Sequence, residues 1–132
     1  MLYSEVEFPV RYYETDQMGI VHHSNYIRYF ETCRSKMMAE NGYPVERCEE
    51  EGTLFPIVSI ECRYLYPARM GDVLTVSAKV EKKPLAKFTF EQEVRNQRGE
   101  VCARGTVVVG FLDKKTGRPC RCPEGLASLF DE

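Results

Sequence analysis

In the run Arg11 to Arg34, RYYETDQMGIVHHSNYIRYFETCR, the residues suited to acyl-group chemistry are concentrated: a carboxylate at Asp16, a glycine at Gly19 and imidazoles at His22 and His23. Asp16 precedes His23 by seven residues. A carboxylate can attack a carbonyl carbon directly or act as base on a water, and the spacing leaves both open. The first amides of a helix opening near His23 have no intrahelical acceptor, and the helix dipole adds partial positive charge there. A carbonyl oxygen gaining negative charge would find preorganised donors. One carboxylate and one such donor make a minimal set for attack on a carbonyl carbon. Gly19 lets the loop backbone approach a substrate without an intervening side chain. The competing reading of Asp16, preceded by Thr15 and followed by Gly19, is a turn or cap residue. His22 and His23, as sequence neighbours, do not converge on one metal, and none is expected. For His23 the backbone amide outranks the side chain as a functional group.

These residues need elements to hold them. Val6, Phe8, Val10 and Tyr12 alternate with polar positions, which predicts a half-buried strand over residues 3–13. Tyr26, Phe30, Cys33 and Met37, joined by Ile27 and Met38, form an apolar stripe opposite Arg28, Glu31, Thr32, Ser35 and Lys36. This predicts a helix over 24–41, capped by Ser24 or Asn25 and stopped by Asn41, Gly42 and Pro44. The acidic stretch 45–56 reads as a helix exit and loop. Alternation then predicts strands over 57–66, with Val58, Ile60, Cys62, Tyr64 and Tyr66 sharing a face, and over 73–82, with Leu74, Val76, Ala78 and Val80 inward. Two more strands are expected around 88–94 and over 101–112, with turns at 67–72, 96–99 and 114–117 and a short helical LASLF near the end. One strand, one long helix and four strands in an antiparallel meander make an α+β order.

The positions Tyr13, Asp16, Gly19, Ile20, Val21, His23, Tyr26, Phe30, Glu31 and Arg34, with Pro67-Ala68-Arg69-Met70-Gly71-Asp72 further on, resemble the signature of hotdog-fold acyl-CoA thioesterases. The likeness is to the 4-hydroxybenzoyl-CoA and Tol-Pal-associated branch, and it extends over nearly the whole chain. It implies a single hotdog domain over 1–132, a five-stranded antiparallel sheet wrapped around one long central helix. It also implies catalysis by Asp16, with the thioester oxygen on the His23 amide. His22 departs from the tyrosine or phenylalanine usual in that family. Substrate-binding candidates are Gly19, Val21, His22, Ile57, Val58 and Ser59, with Tyr29, Phe55, Tyr64 and Met70 as further pocket candidates. Hotdog domains dimerise by continuing the sheet, with active sites at the interface, and some relatives form tetramers. A homodimer or homotetramer is therefore expected.

Composition narrows the alternatives. A chain of 132 residues is one domain by size and can bury a sizeable core, and a formal charge of −2 gives no field favouring nucleic acid or anionic membrane. No apolar run approaches the ~20 residues of a membrane span, and the first residues carry Glu5 and Glu7, unlike a secretory signal. A cytoplasmic protein with six reduced cysteines is expected. Cys120 and Cys122 lack a second ligand pair, so zinc is not expected there. No cofactor is implied, coenzyme A being part of the substrate. The basic cluster Lys79, Lys82, Lys83 and Lys87 reads as a solvated hairpin end in preference to a phosphate clamp. Three readings compete with acyl-CoA hydrolysis: the same chemistry on acyl carrier protein, dehydratase chemistry, and an acyl-CoA-binding module without turnover.

Overall fold

The computed structural model describes residues 1–131. In chain order the elements are β1 (Leu2–Pro9), a 3₁₀ turn (Tyr12–Glu14), α1 (Ser24–Glu40), α2 (Val45–Glu50), β2 (Thr53–Leu54) and β3 (Ile57–Tyr64). They continue with β4 (Val73–Val80), β5 (Lys87–Arg95), β6 (Val101–Gly110), β7 (Leu112–Asp113), α3 (Glu124–Ala127) and a closing 3₁₀ turn (Ser128–Phe130). Five strands form one antiparallel sheet in the order β1-β4-β5-β6-β3, and β2 pairs with β7 as a separate ribbon.

The neighbour order corrects the expected four-strand meander. β4, β5 and β6 follow one another, but β3 crosses to the far edge beside β6, and β1 takes the place next to β4. Alternation along a strand specifies its faces and says nothing of its neighbours. Val107-Val108-Val109 lie in β6, which is paired on both sides. Val107 and Val109 are buried and Val108 is half-buried. Around Val108 the outer sheet face is polar, with Lys79, Glu91, Glu93 and Arg104 in ion pairs.

α1 is 17 residues long and lies against β1, β4 and β5. Its stripe of Tyr26, Phe30, Cys33 and Met37 is buried, and Leu74, Val76, Ala78 and Val80 meet the same core from β4. Burying each large apolar side chain contributes roughly 1.5–3 kcal/mol, so this seam dominates the stability of the helix. The helix stops at Asn41, where Gly42 takes φ +76 and its N–H reaches the Ala39 carbonyl at 3.1 Å. Its start differs from the sequence reading. His23 is the N-cap and makes no side-chain cap bond; Ser24 Oγ meets His22 Nδ1 at 2.9 Å, and Asn25 is buried. No helix among the described residues is long and apolar enough to cross a membrane.

Three further boundaries shift. The first strand ends at Pro9, and the chain then turns through the 3₁₀ segment, leaving Tyr12 81% exposed instead of on the inward face. The stretch expected as loop after Pro44 contains α2, with Cys48 buried beneath it. β3 ends at Tyr64, because the N–H groups of Leu65 and Tyr66 both turn to the Cys102 carbonyl, at 2.9 and 3.3 Å, ahead of Pro67.

The 67–72 turn supports the Asp16 loop and is held by Asp72, which is 5% exposed. Asp72 Oδ2 accepts the Arg69 N–H at 2.9 Å, and Oδ1 accepts Gln97 Nε2 at 3.0 Å, with the Arg98 guanidinium 3.6 Å away. Burial pushes this carboxyl up, but the Arg69 N–H, the Gln97 amide and the Arg98 charge outweigh it and hold it below 3.8. A depressed folded value means stability present above the unfolded pKa and lost as pH falls through the folded one. Asp72→Ala is expected to cost about 1–3 kcal/mol at pH 7, measured by urea unfolding, with the deficit closing as pH falls through the depressed folded value of Asp72.

Candidate active site

Asp16 opens a four-residue turn. The Gly19 N–H donates to the Asp16 carbonyl at 3.0 Å, and the Met18 N–H donates to Asp16 Oδ1 at 2.8 Å. The turn reading of Asp16 is therefore correct as far as one oxygen goes; Oδ2 has no hydrogen-bond partner among the described residues. Gly19 takes φ +77, where side chains with a Cβ are strained, and a Cβ there would meet nothing within 4 Å. The position requires glycine for backbone conformation, whereas the sequence reading stressed close approach.

The two arms of the loop pair with one another. His22 N–H donates to the Glu14 carbonyl at 2.9 Å, Thr15 bridges Val21, and Asp16 N–H donates to the Ile20 carbonyl at 2.9 Å. The ladder rests on the 67–72 turn through Val21 N–H to the Ala68 carbonyl (2.8 Å) and Met70 N–H to the Gly19 carbonyl (3.2 Å). Just past the ladder the chain enters α1. Ser24 N–H is taken by His22 Nδ1 at 3.2 Å, Asn25 N–H by the His22 carbonyl at 2.9 Å and Tyr26 N–H by the His23 carbonyl at 3.3 Å. The His23 N–H alone at this entrance has no acceptor among the described residues. The sequence pointed to several free amides; the structure narrows them to one.

Asp16, Val21 and His23 line one open depression of about 330 Å³, walled by Met18, Tyr26, Tyr64 and Tyr66. Tyr64 Oη donates to the His23 carbonyl at 3.3 Å, and Tyr26 Oη accepts the Ala68 N–H at 3.2 Å, so both phenols fix backbone at the rim. A larger depression of about 600 Å³ lies on the outer sheet face among Lys79, Glu91, Glu93 and Arg104. It contains none of the loop residues, and its walls are ion pairs, so size does not select the site.

The remaining candidates lie elsewhere. Gly19 and His22 border the loop without lining the depression; the His22 ring lies beside that of His23, centroids 4.1 Å apart. Ile57, Val58 and Ser59 are exposed at the start of β3, while Tyr64 at its other end lines the depression. A strand rises ~3.3 Å per residue, so Ile57 stands about 20 Å from that wall. Among the pocket candidates only Tyr64 lines it: Tyr29 is buried in the core, Phe55 packs on Phe111 and Met70 is exposed. Arg34 reaches Gln92 Oε1 at 3.1 Å and forms no ion pair with Glu31. Lys79 pairs with Glu81 and Glu91, and Lys83 with Asp131, as a solvated hairpin end would. Sequence reasoning passed over Tyr66 and Glu14. Pro67 was the signal for Tyr66, since it ends the strand; for Glu14 it was a charge between two aromatic residues and the loop.

No group of three or more His, Cys, Asp or Glu side chains gathers as a metal set among the described residues. All six cysteines are free. Burial pushes the thiols of Cys33 and Cys102 up to about 11 and that of Cys48 up to about 12, so they are protonated, poor nucleophiles at neutral pH. In the native protein these three are expected to resist a disulfide dye while all six react in denaturant, as a thiol titration would count.

The chain belongs to the thioesterase-like superfamily, whose family model matches residues 10–130. It is 33% identical over 116 residues to a putative acyl-CoA thioesterase, YneP, of Bacillus subtilis (strain 168), covering 88% of this chain and 84% of that one. It is 30% identical over 131 residues to the chloroplastic acyl-acyl carrier protein thioesterase ATL3 of Arabidopsis thaliana, covering 97% and 67% of the two chains. Among solved structures, a DHNA-CoA thioesterase from Staphylococcus aureus superposes with a TM-score of 0.84 at 28% identity, covering 92% of this chain and 81% of that one.

Proposed function

We propose that this protein hydrolyses acyl-CoA thioesters to the free acid and coenzyme A. The observation that carries the reading is the shared wall: Asp16, with one unpartnered carboxylate oxygen, and His23, with the unpartnered N–H, line the same depression. Asp16 attacks the thioester carbon, or removes a proton from the water that does so. The carbonyl oxygen takes up the electron pair and is held by the His23 N–H at the positive end of α1. When the carbonyl re-forms, the C–S bond breaks and the thiolate leaves. If Asp16 is the nucleophile, water then cleaves the mixed anhydride and restores the carboxylate. Met18, Tyr26, Tyr64 and Tyr66 supply an apolar wall for the acyl group or the pantetheine arm.

The proposal extends to a cytoplasmic enzyme of the 4-hydroxybenzoyl-CoA and Tol-Pal-associated branch, with α1 as the helix that the hotdog sheet wraps. It needs no added cofactor. It also includes a homodimer or homotetramer formed along the exposed β3 edge, which supplies Ile57, Val58, Ser59 and His22 to substrate as a composite wall. The name of the Arabidopsis relative favours a second carrier, acyl carrier protein, with the chemistry unchanged. Thiol release from a panel of aliphatic and aromatic acyl-CoAs and acyl-carrier thioesters tests both. Turnover with CoA esters supports the reading and turnover confined to carrier esters selects the second carrier. Binding without thiol release from any member leaves a binding module instead.

A further inference from the structure

We propose that Glu14 is the positioning residue of this site, setting the angle at which the Asp16–His23 ladder meets α1. The inference rests on the hydrolase reading above.

Glu14 is 6% exposed and stands two residues before Asp16. Each of its acceptors is used. Oε1 takes the Arg11 N–H at 2.8 Å and the Tyr29 O–H at 3.0 Å, and Oε2 meets the Arg11 guanidinium at 3.4 Å. Its carbonyl takes the His22 N–H at 2.9 Å and Asn25 Nδ2 at 2.9 Å. Five contacts thus join the 3₁₀ turn, the ladder and the first two turns of α1 at a single residue. The ladder by itself fixes only the spacing between the Asp16 and His23 arms. Its orientation relative to the helix, and with it the direction of the free His23 N–H, depends on ties to α1 side chains: Ser24 Oγ holds His22 Nδ1 at the exposed rim, and the buried ties, from Asn25 and Tyr29, both run to Glu14. Glu14 does not line the depression and touches no substrate. A misplacement on the order of 1 Å at a reacting group costs about a hundredfold in rate, so loosening this joint reaches catalysis without removing a reacting group.

The conservative substitution separates position from bulk structure. In Glu14→Gln the amide oxygen can retain both the Arg11 N–H and the Tyr29 O–H, because a single oxygen receives both. Glu14→Ala loses both and keeps the carbonyl contacts. With acyl-CoA hydrolysis measured on folded variants, Glu14→Ala is expected to lower kcat at least about tenfold with KM within about threefold. Glu14→Gln is expected to recover kcat to within about threefold. Hydrogen exchange of the backbone over residues 20–26 should quicken in the alanine variant and return to the wild-type rate in the glutamine variant. Wild-type kcat in folded Glu14→Ala, a loss confined to KM, or glutamine as damaged as alanine overturns the proposal. If the alanine variant fails to fold, Tyr29→Phe removes one tie only. A kcat loss of about threefold or more then supports the proposal, and an unchanged kcat overturns it. If the wild-type protein releases no thiol, the hydrolase reading fails, and the exchange rates of the same variants still decide whether Glu14 orients the segment.

Discussion

Asp16→Asn is expected to lower thiol release by about a thousandfold while leaving the fold and substrate affinity in place. The substitution is isosteric, and the oxygen that accepts the Met18 N–H at 2.8 Å is retained, so the turn survives. Only the unpartnered oxygen is replaced, by an amide nitrogen that can neither attack a carbonyl carbon nor accept a proton from water. Stability by denaturant unfolding should change by less than about 1 kcal/mol. Dye-linked thiol release and calorimetric binding of a non-hydrolysable acyl-CoA analogue measure the two halves of the expectation. A variant that turns over within tenfold of wild type would reduce Asp16 to its turn role. Rapid quenching of the wild-type enzyme then separates the two chemistries, because an acyl group found on Asp16 marks it as nucleophile.

The largest effect on stability is expected at Gly105→Ala in β6. A Cβ there would run into the Glu61 carbonyl of β3 and lie 2.9 Å from Cε2 of the Phe30 ring. The ring can tilt, but the carbonyl belongs to the neighbouring strand and moves only with it. Overpacking at such a site typically costs 1–3 kcal/mol and occasionally more; about 3 kcal/mol is expected here, or roughly 10 °C in Tm. Because β3 carries Tyr64 to the depression, activity should fall along with stability. Gly110→Ala in the same strand is the control: its Cβ would meet a Val58 methyl at 3.1 Å, a side chain able to shift. Equal melting temperatures for the two variants would contradict this account.

What the sequence revealed, and what it did not, follows from the range of the forces involved. The α1 stripe and the inward residues of β4 were legible because each depends on local periodicity and burial. The place of β3 at the far edge was not, since it depends on which strand closes onto which. The same division holds at the site. Asp16, Val21 and His23 lie within one short loop, and the structure brings them to one depression. Tyr66 comes to that depression only because the chain leaves the sheet after Tyr64. Ser24 and Asn25 were plausible caps by residue type, but Asn25 is drawn inward to the Glu14 carbonyl, a contact that exists only once the loop has folded back. Val58 and Ser59 open an alternating run like that of a half-buried strand, yet the described chain leaves both, and Ile57 before them, exposed.

One buried amide has a consequence for where the helix can sit. Gln92 is 1% exposed beneath α1; its Nε2 donates to the Phe30 carbonyl at 3.0 Å, and its Oε1 accepts Arg34. An apolar seam tolerates sliding, because one greasy ridge fits much like the next. A lone amide in dry surroundings does not: moving α1 by one turn, ~5.4 Å, would strand it at a cost of about 1–3 kcal/mol. Phe30 lies two turns below His23, so Gln92 acts as a detent that stops the helix at one height, and the amide at its upper end is delivered to the loop at the same level in every molecule.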